Sequence, residues 1–128
     1  MATTVVVTSA GDAVVAKRMI GATPTQAEPY WVAWGTGTTA TAAKSSTALE
    51  TAAPEARVQG TSSNVTTTYT DDTYQVVGTL TAGEAETITE AGLFDASTAG
   101  DLFTYATFTG FALNTGDSIQ FTFKVSFD

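Results

Sequence analysis

The chain has 128 residues with no cysteine and no histidine, and 13 acidic against 5 basic residues give a net charge of −8. A single domain of this size buries roughly two thirds of its chain surface, so a core can form without staples. The missing residue types exclude Ser-His-Asp and Cys-His catalysis, a disulfide framework and thiolate metal sites, and the acidic balance excludes a surface that tracks nucleic-acid phosphates or an anionic membrane.

Charged residues make up only 14% of the chain, while threonine reaches 27 residues. Thr suits strands, because its branched side chain packs on a pleated surface that is half wet. The opening MATTVVVTSAGD lacks the basic region and long apolar run of a signal peptide. No stretch approaches the ~18 consecutive apolar residues of a membrane-spanning helix.

Taken in chain order, Thr3 to Thr8, Ala13 to Ile20 and Tyr30 to Trp34 read as strands, divided by Gly11-Asp12 and by Gly21 to Pro29. Gly35 to Ser46 (GTGTTATAAKSS) has almost no apolar anchor and is expected to be a long loop that a partner orders. Ser46 to Glu55 is the only stretch expected to hold a helical turn, and Pro54 limits it. Arg57 to Thr70 is a long Thr-rich strand, turned by Asp71-Asp72 into Thr73 to Thr81. Then come Ile88 to Asp95 and Leu102 to Leu113, the latter weakened at Gly110. Ile119 to Phe127 alternates strictly between apolar and polar residues, which argues for one face on a core and one in water. Asn114 to Asp117 is a turn, so the last two strands should form a hairpin or lie as neighbours. About eight short strands with turns every ten residues or so predict a single all-β sandwich, jelly-roll-like and antiparallel, over residues 1–128.

Within ITEAGLFD, period two places Ile88, Glu90, Gly92 and Phe94 on one face and Thr89, Ala91 and Leu93 on the other. A carboxylate among apolar residues is either a catalytic acid with a raised pKa or half of a buried ion pair. With five cations to choose from, Arg57 is the expected partner of Glu90, since its fork fits a carboxylate. In Tyr30 to Trp34, alternation sends Tyr30, Val32 and Trp34 to the core and Trp31 to the opposite side. There Trp31 is a candidate partner contact, preferred over a sugar-stacking platform.

The remaining acids sit mainly in turns, without the spaced Asp/Asn run of a calcium loop, so no metal and no cofactor is expected. Gly35-Thr36-Gly37 lacks the Lys of a phosphate loop, and Asn64-Val65-Thr66 is a short match to a glycosylation acceptor. Lys17, Arg18 and Lys44 are three of the five cations and lie in the first third of the chain, so they are candidate contacts to an acidic partner.

Several strings, in order, resemble virion proteins of tailed bacteriophages. They are Trp34-Gly35-Thr36-Gly37, Thr47-Ala48-Leu49-Glu50, Glu55-Ala56-Arg57, Thr89 to Asp95, and Leu113-Asn114-Thr115-Gly116-Asp117-Ser118-Ile119. Similar strings occur in small tail-fibre-like modules and in capsid cement (decoration) proteins. The resemblance covers about residues 30 to 125. It implies a non-enzymatic all-β module that assembles with copies of itself, usually as a homotrimer, on a virion, with the TEAGLFD strand in the core. Because the chain stops at Asp128, directly after its last strand, the expected role is a cement protein on the outer capsid surface, with the major capsid protein as partner. The alternatives are a tail or baseplate fibre module or a glycan-binding adhesion domain.

Overall fold

The computed structural model describes residues 3–127. Eight strands and one helix follow in the order β1 (Thr4–Val7), α1 (Ser9–Met19), β2 (Trp31–Gly35), β3 (Val58–Gln59), β4 (Thr61–Val65), β5 (Thr73–Thr81), β6 (Glu86–Phe94), β7 (Leu102–Leu113) and β8 (Ser118–Ser126). The strands form two antiparallel sheets, one of five strands in the order β1-β7-β6-β2-β3 and one of three in the order β4-β5-β8. The fold is an all-β sandwich.

The expected strands at Thr73 to Thr81 and Leu102 to Leu113 have the bounds of β5 and β7, and the alternating C-terminal run is β8. β7 and β8 do not form a hairpin. Their turn carries the chain from one sheet to the other, and β8 pairs with β5 along its whole length. Ala82 to Ala85 makes the same kind of crossing between β5 and β6. Arg57 to Thr70 is two strands, β3 and β4, which belong to different sheets and meet at the buried Gly60.

The first third departs most from expectation. Ala13 to Ile20 is not a strand but most of α1. Thr8 caps the helix, its hydroxyl accepting from Gly11 N at 3.1 Å, Asp12 lies in the first turn, and Lys17 and Arg18 lie in the last. These are favourable ends for the helix dipole. Only Gly11 and Val14 of α1 are buried, so one narrow stripe holds it against β7. Ser46 to Glu55 is not helical, and its one regular feature is a bridge between Ala52 and Gly35.

Two apolar clusters result. The larger lies between the sheets around Val32, Trp34, Leu80, Ile88, Leu93 and Phe123, with Val14 of α1 closing one end. The smaller lies on the outer face of the five-stranded sheet, where Ala33, Phe94, Leu102 and Tyr105 are covered by Ala42 and Leu49 of the 36–53 segment. Tyr30, Val32 and Trp34 face the larger cluster and Trp31 the smaller, as alternation requires. The β6–β7 ladder slips between Ile88 and Glu90, so β6 changes phase. Ile88 therefore faces the inter-sheet core with Ala91 and Leu93, while Glu90 and Phe94 face outward under the 36–53 segment. Strict period two could not see this slip, because a bulge shifts every later side chain to the other face.

Thr8 is fully buried and also donates its hydroxyl proton to Leu102 O at 2.5 Å, so a single side chain joins the helix cap to β7. Thr8→Ala should cost about 1–2 kcal/mol in chemical denaturation, and Thr8→Ser should restore most of it. Equal losses from both substitutions would remove the hydroxyl from this account.

Candidate functional site

Glu90 is 0% exposed. Its carboxylate receives four hydrogen bonds: Gly37 N at 2.8 Å and Thr51 N at 2.9 Å on Oε2, Glu50 N at 2.8 Å and the Tyr105 hydroxyl at 2.6 Å on Oε1. Thr89 beside it donates to Gly37 O. The 36–53 segment is thus wrapped around one side chain of β6. Burial, the hydrogen bond to Glu90 and the charge of Glu90 hold the Tyr105 phenol well above its ordinary pKa. Gly35 and Gly37 have no room for a side chain: a Cβ would lie 2.7 Å and 2.6 Å from Glu90 Oε2, respectively.

The expected Glu90–Arg57 pair is not formed. Arg57 Nη1 donates to Ala96 O at 2.8 Å and Ala99 O at 2.7 Å, and its guanidinium carbon lies 3.6 Å from the centroid of the Phe94 ring. Arg57 pins the β6–β7 turn, and cation–π attraction to Phe94 offsets part of its desolvation. Main-chain N–H groups take the place of a cation around Glu90. A carboxylate with several such donors needs no opposite charge. The 35–46 segment, expected to gain order from a partner, is anchored by this chain. Besides Gly37, Ala42 is buried and donates to Thr107 Oγ1 at 3.2 Å, and Thr39 and Ala40 donate to the Glu50 carboxylate.

Of the candidate partner contacts, Lys17 and Arg18 are exposed in the last turn of α1. Lys44 Nζ reaches Asp12 Oδ2 at 2.6 Å, so the structure brings it to the same helix, with both groups exposed. Trp31 lies elsewhere, half-buried on β2 and edge-on to Tyr30 with centroids 6.0 Å apart. Neither Trp31 nor the buried Trp34 presents an open stacking face.

Sequence reasoning missed a second acidic device. The carboxylates of Glu55, Glu84 and Glu86 offer oxygens within 4.8 Å of one another, at the crossing from β5 to β6. Glu55 accepts from Trp34 Nε1 at 2.9 Å and from Gly83 N at 3.1 Å. Glu86 Oε1 is buried without a hydrogen-bond partner. Burial first, then the hydrogen bond to Glu55 and the charges of Glu55 and Glu84, push the Glu86 carboxyl up to about 7. Burial would raise Glu55 too, but its bonds from Glu86, Gly83 and Trp34 outweigh that and hold it below its ordinary value. Of the two carboxyls, Glu86 is therefore the one that keeps its proton to higher pH. Nothing in the local string Glu84-Ala85-Glu86 announces this, because Glu55 arrives from a distant segment.

A family model described as podophage GP4 fiber I protein gp80 matches residues 6–125. The chain belongs to this family. Its members' description as fibre proteins makes the chain a phage virion structural protein. Neither a curated protein nor a solved structure matches it. Three of the five strings that resembled phage virion proteins converge on one place: Trp34 to Gly37, Thr47 to Glu50 and Thr89 to Asp95 all run past the Glu90 carboxylate.

Glu90→Ala leaves four donors, two of them fully buried, without an acceptor and should lower stability by about 3–5 kcal/mol, whereas Tyr105→Phe removes one bond and should cost about 1 kcal/mol. Denaturant midpoints at constant m-value test both, and a midpoint unchanged by Glu90→Ala would overturn the clamp.

The raised Glu86 fixes the sign of a pH effect. The proton that Glu86 retains in the fold stabilises it fully below the ordinary value of 4.5, and this contribution is lost as pH rises through about 7. Glu86→Gln keeps a donor facing Glu55 at every pH. Melting temperatures across this window should fall with pH in the wild type and stay level in the variant. Parallel curves would refute the raised Glu86.

Proposed function

We infer that this chain is a non-catalytic structural subunit of a podophage tail fibre. The observation that carries the reading is the match to the fiber I family over residues 6–125, which reaches from within β1 to within β8. It supports the fibre alternative over the capsid-cement role, for which no comparable match speaks. Glu90, the carboxylate that first suggested chemistry, is buried and occupied by four donors, which favours a mechanical role. A fibre subunit has to transmit load without opening, and a clamp of charge-assisted hydrogen bonds in a dry site resists opening better than mobile surface ion pairs. The partners in this reading are copies of the chain, grouped as a homotrimer around the fibre axis, and the tail proteins to which the fibre attaches.

Quantitative mass spectrometry of purified particles, with heads and tails separated, tests the assignment. A few or about a dozen copies in multiples of three, retained with tails, are expected. Hundreds of copies retained with heads would return the chain to the capsid surface.

A further inference from the structure

The sandwich has two chemically different ends. β7 runs from Phe103, packed beside α1, to Phe111 near its other end, a span of roughly 25 Å at the rise of a strand. β8 runs back from the Asn114 to Asp117 turn to Ser126, just before Phe127.

The α1 end is apolar and holds the cations, interspersed with acids: Glu28 lines the same cleft as Arg18, and Asp95 and Asp101 lie beside Val14. Met19 and Ile20 are 82% and 80% exposed, and Val5 and Phe127 are more than half exposed. Two open clefts of about 540 and 530 Å³ meet at Val15, Met19 and Phe127, the first walled by Tyr74 and Phe103 and the second by β1. Lys17 and Arg18 stand at the rim, and neither is in an ion pair among the described residues.

The opposite end is aromatic and acidic. Phe111 is 56% exposed and meets Phe108 at a tilt, with centroids 5.7 Å apart; Phe108 in turn contacts Phe121, which meets the core Trp34 edge-on. Glu86 stands two residues from this patch in the β6–β7 ladder, where it faces Leu113 while Ile88 faces Phe111. Glu84 and Glu55 adjoin Glu86, and Asp117 closes the neighbouring turn. All five basic residues lie toward the other end: Lys17 and Arg18 on α1, Lys44 on Asp12, Arg57 at the β6–β7 turn, and Lys124 near the close of β8.

We propose that copies of this chain bind head to tail, the Met19–Ile20–Phe127 end with its Lys17 and Arg18 rim seating on the Phe111 end of the next copy with its Glu84 and Asp117 rim. A solvated apolar patch on each end supplies the driving force, and the opposite rims set polarity and exclude like ends. A contact between two different patches is heterologous, and repeated without closure it builds a line of subunits. The inference rests on the two ends and goes beyond the fibre assignment. Stacking in solution and location on the particle are separate measurements.

Two charge-reversed variants of the full chain test it. One is Lys17→Glu with Arg18→Glu. The other is Glu84→Lys with Asp117→Lys. Sedimentation velocity over a concentration series should show wild-type chains growing into a ladder of stacked species that shrinks as salt is added. Each variant alone, with wild-type circular dichroism, should lose the ladder, since its two ends now carry one sign. An equimolar mixture should regain it, because each variant's ends complement the other's. Met19→Asp with Ile20→Asp should abolish the ladder in both settings. A wild-type chain that stays a single species at all concentrations would overturn the proposal. So would a ladder that survives either reversal, or a mixture that fails to recover.

Discussion

Everything on the outer face of the five-stranded sheet is organised by one buried acceptor. A lone carboxylate taken out of water costs several kcal/mol unless donors replace the lost hydration. Glu90 collects three main-chain N–H groups and a phenol from residues 37, 50, 51 and 105. Those donors have a need of their own, since the 36–53 segment has little regular secondary structure to satisfy its backbone. Each side resolves the other's deficit. The coil is fixed without a helix or a sheet, and the glycines at 35 and 37 follow from it, because only a bare backbone can come this close to the oxygens.

This economy explains how a chain so poor in charge holds its long connections. Asp72 shows the same device on the surface, accepting from the backbone of Thr67, Thr68 and Tyr69 across the β4–β5 turn. Those bonds, the Tyr69 and Thr67 amides foremost, hold its carboxyl far below the usual range. At the β6–β7 turn the Asp95 carboxylate accepts in the same way from the Asp101 amide. In both turns, and at Glu90, acids serve as caps for peptide groups, which is why few cations are needed.

The strands were legible because their signal is local. Period two and turn residues located β5, β7 and β8, and the aromatic run located β2 with the right face inward. The helix was missed because its buried stripe is only Gly11 and Val14 with Val15 half-buried, so periodicity was silent. The cap Thr8, the acid at position 12 and the bases at 17 and 18 were the available signs. The Glu90 clamp was half legible: burial of a carboxylate in a strand could be read, but its partners could not. Main-chain donors have no letter in a sequence, whereas Arg57 does, so the visible cation drew the assignment. The slip in the β6–β7 ladder lies beyond local pattern altogether, since it depends on how many residues of β7 stand opposite Thr89.

The pairing of β1 with β7 has a consequence for biosynthesis. Val5 lies opposite Ala106, so β1 has no partner strand until residue 106 has left the ribosome. Nor can Gly37 be secured before Glu90 emerges. Closing such long loops costs entropy before any contact rewards it, and folds of this kind close in milliseconds to seconds. The nascent chain therefore waits, open, for its C-terminal half. Its scarcity of uninterrupted apolar runs and its abundance of threonine keep that waiting polypeptide in solution.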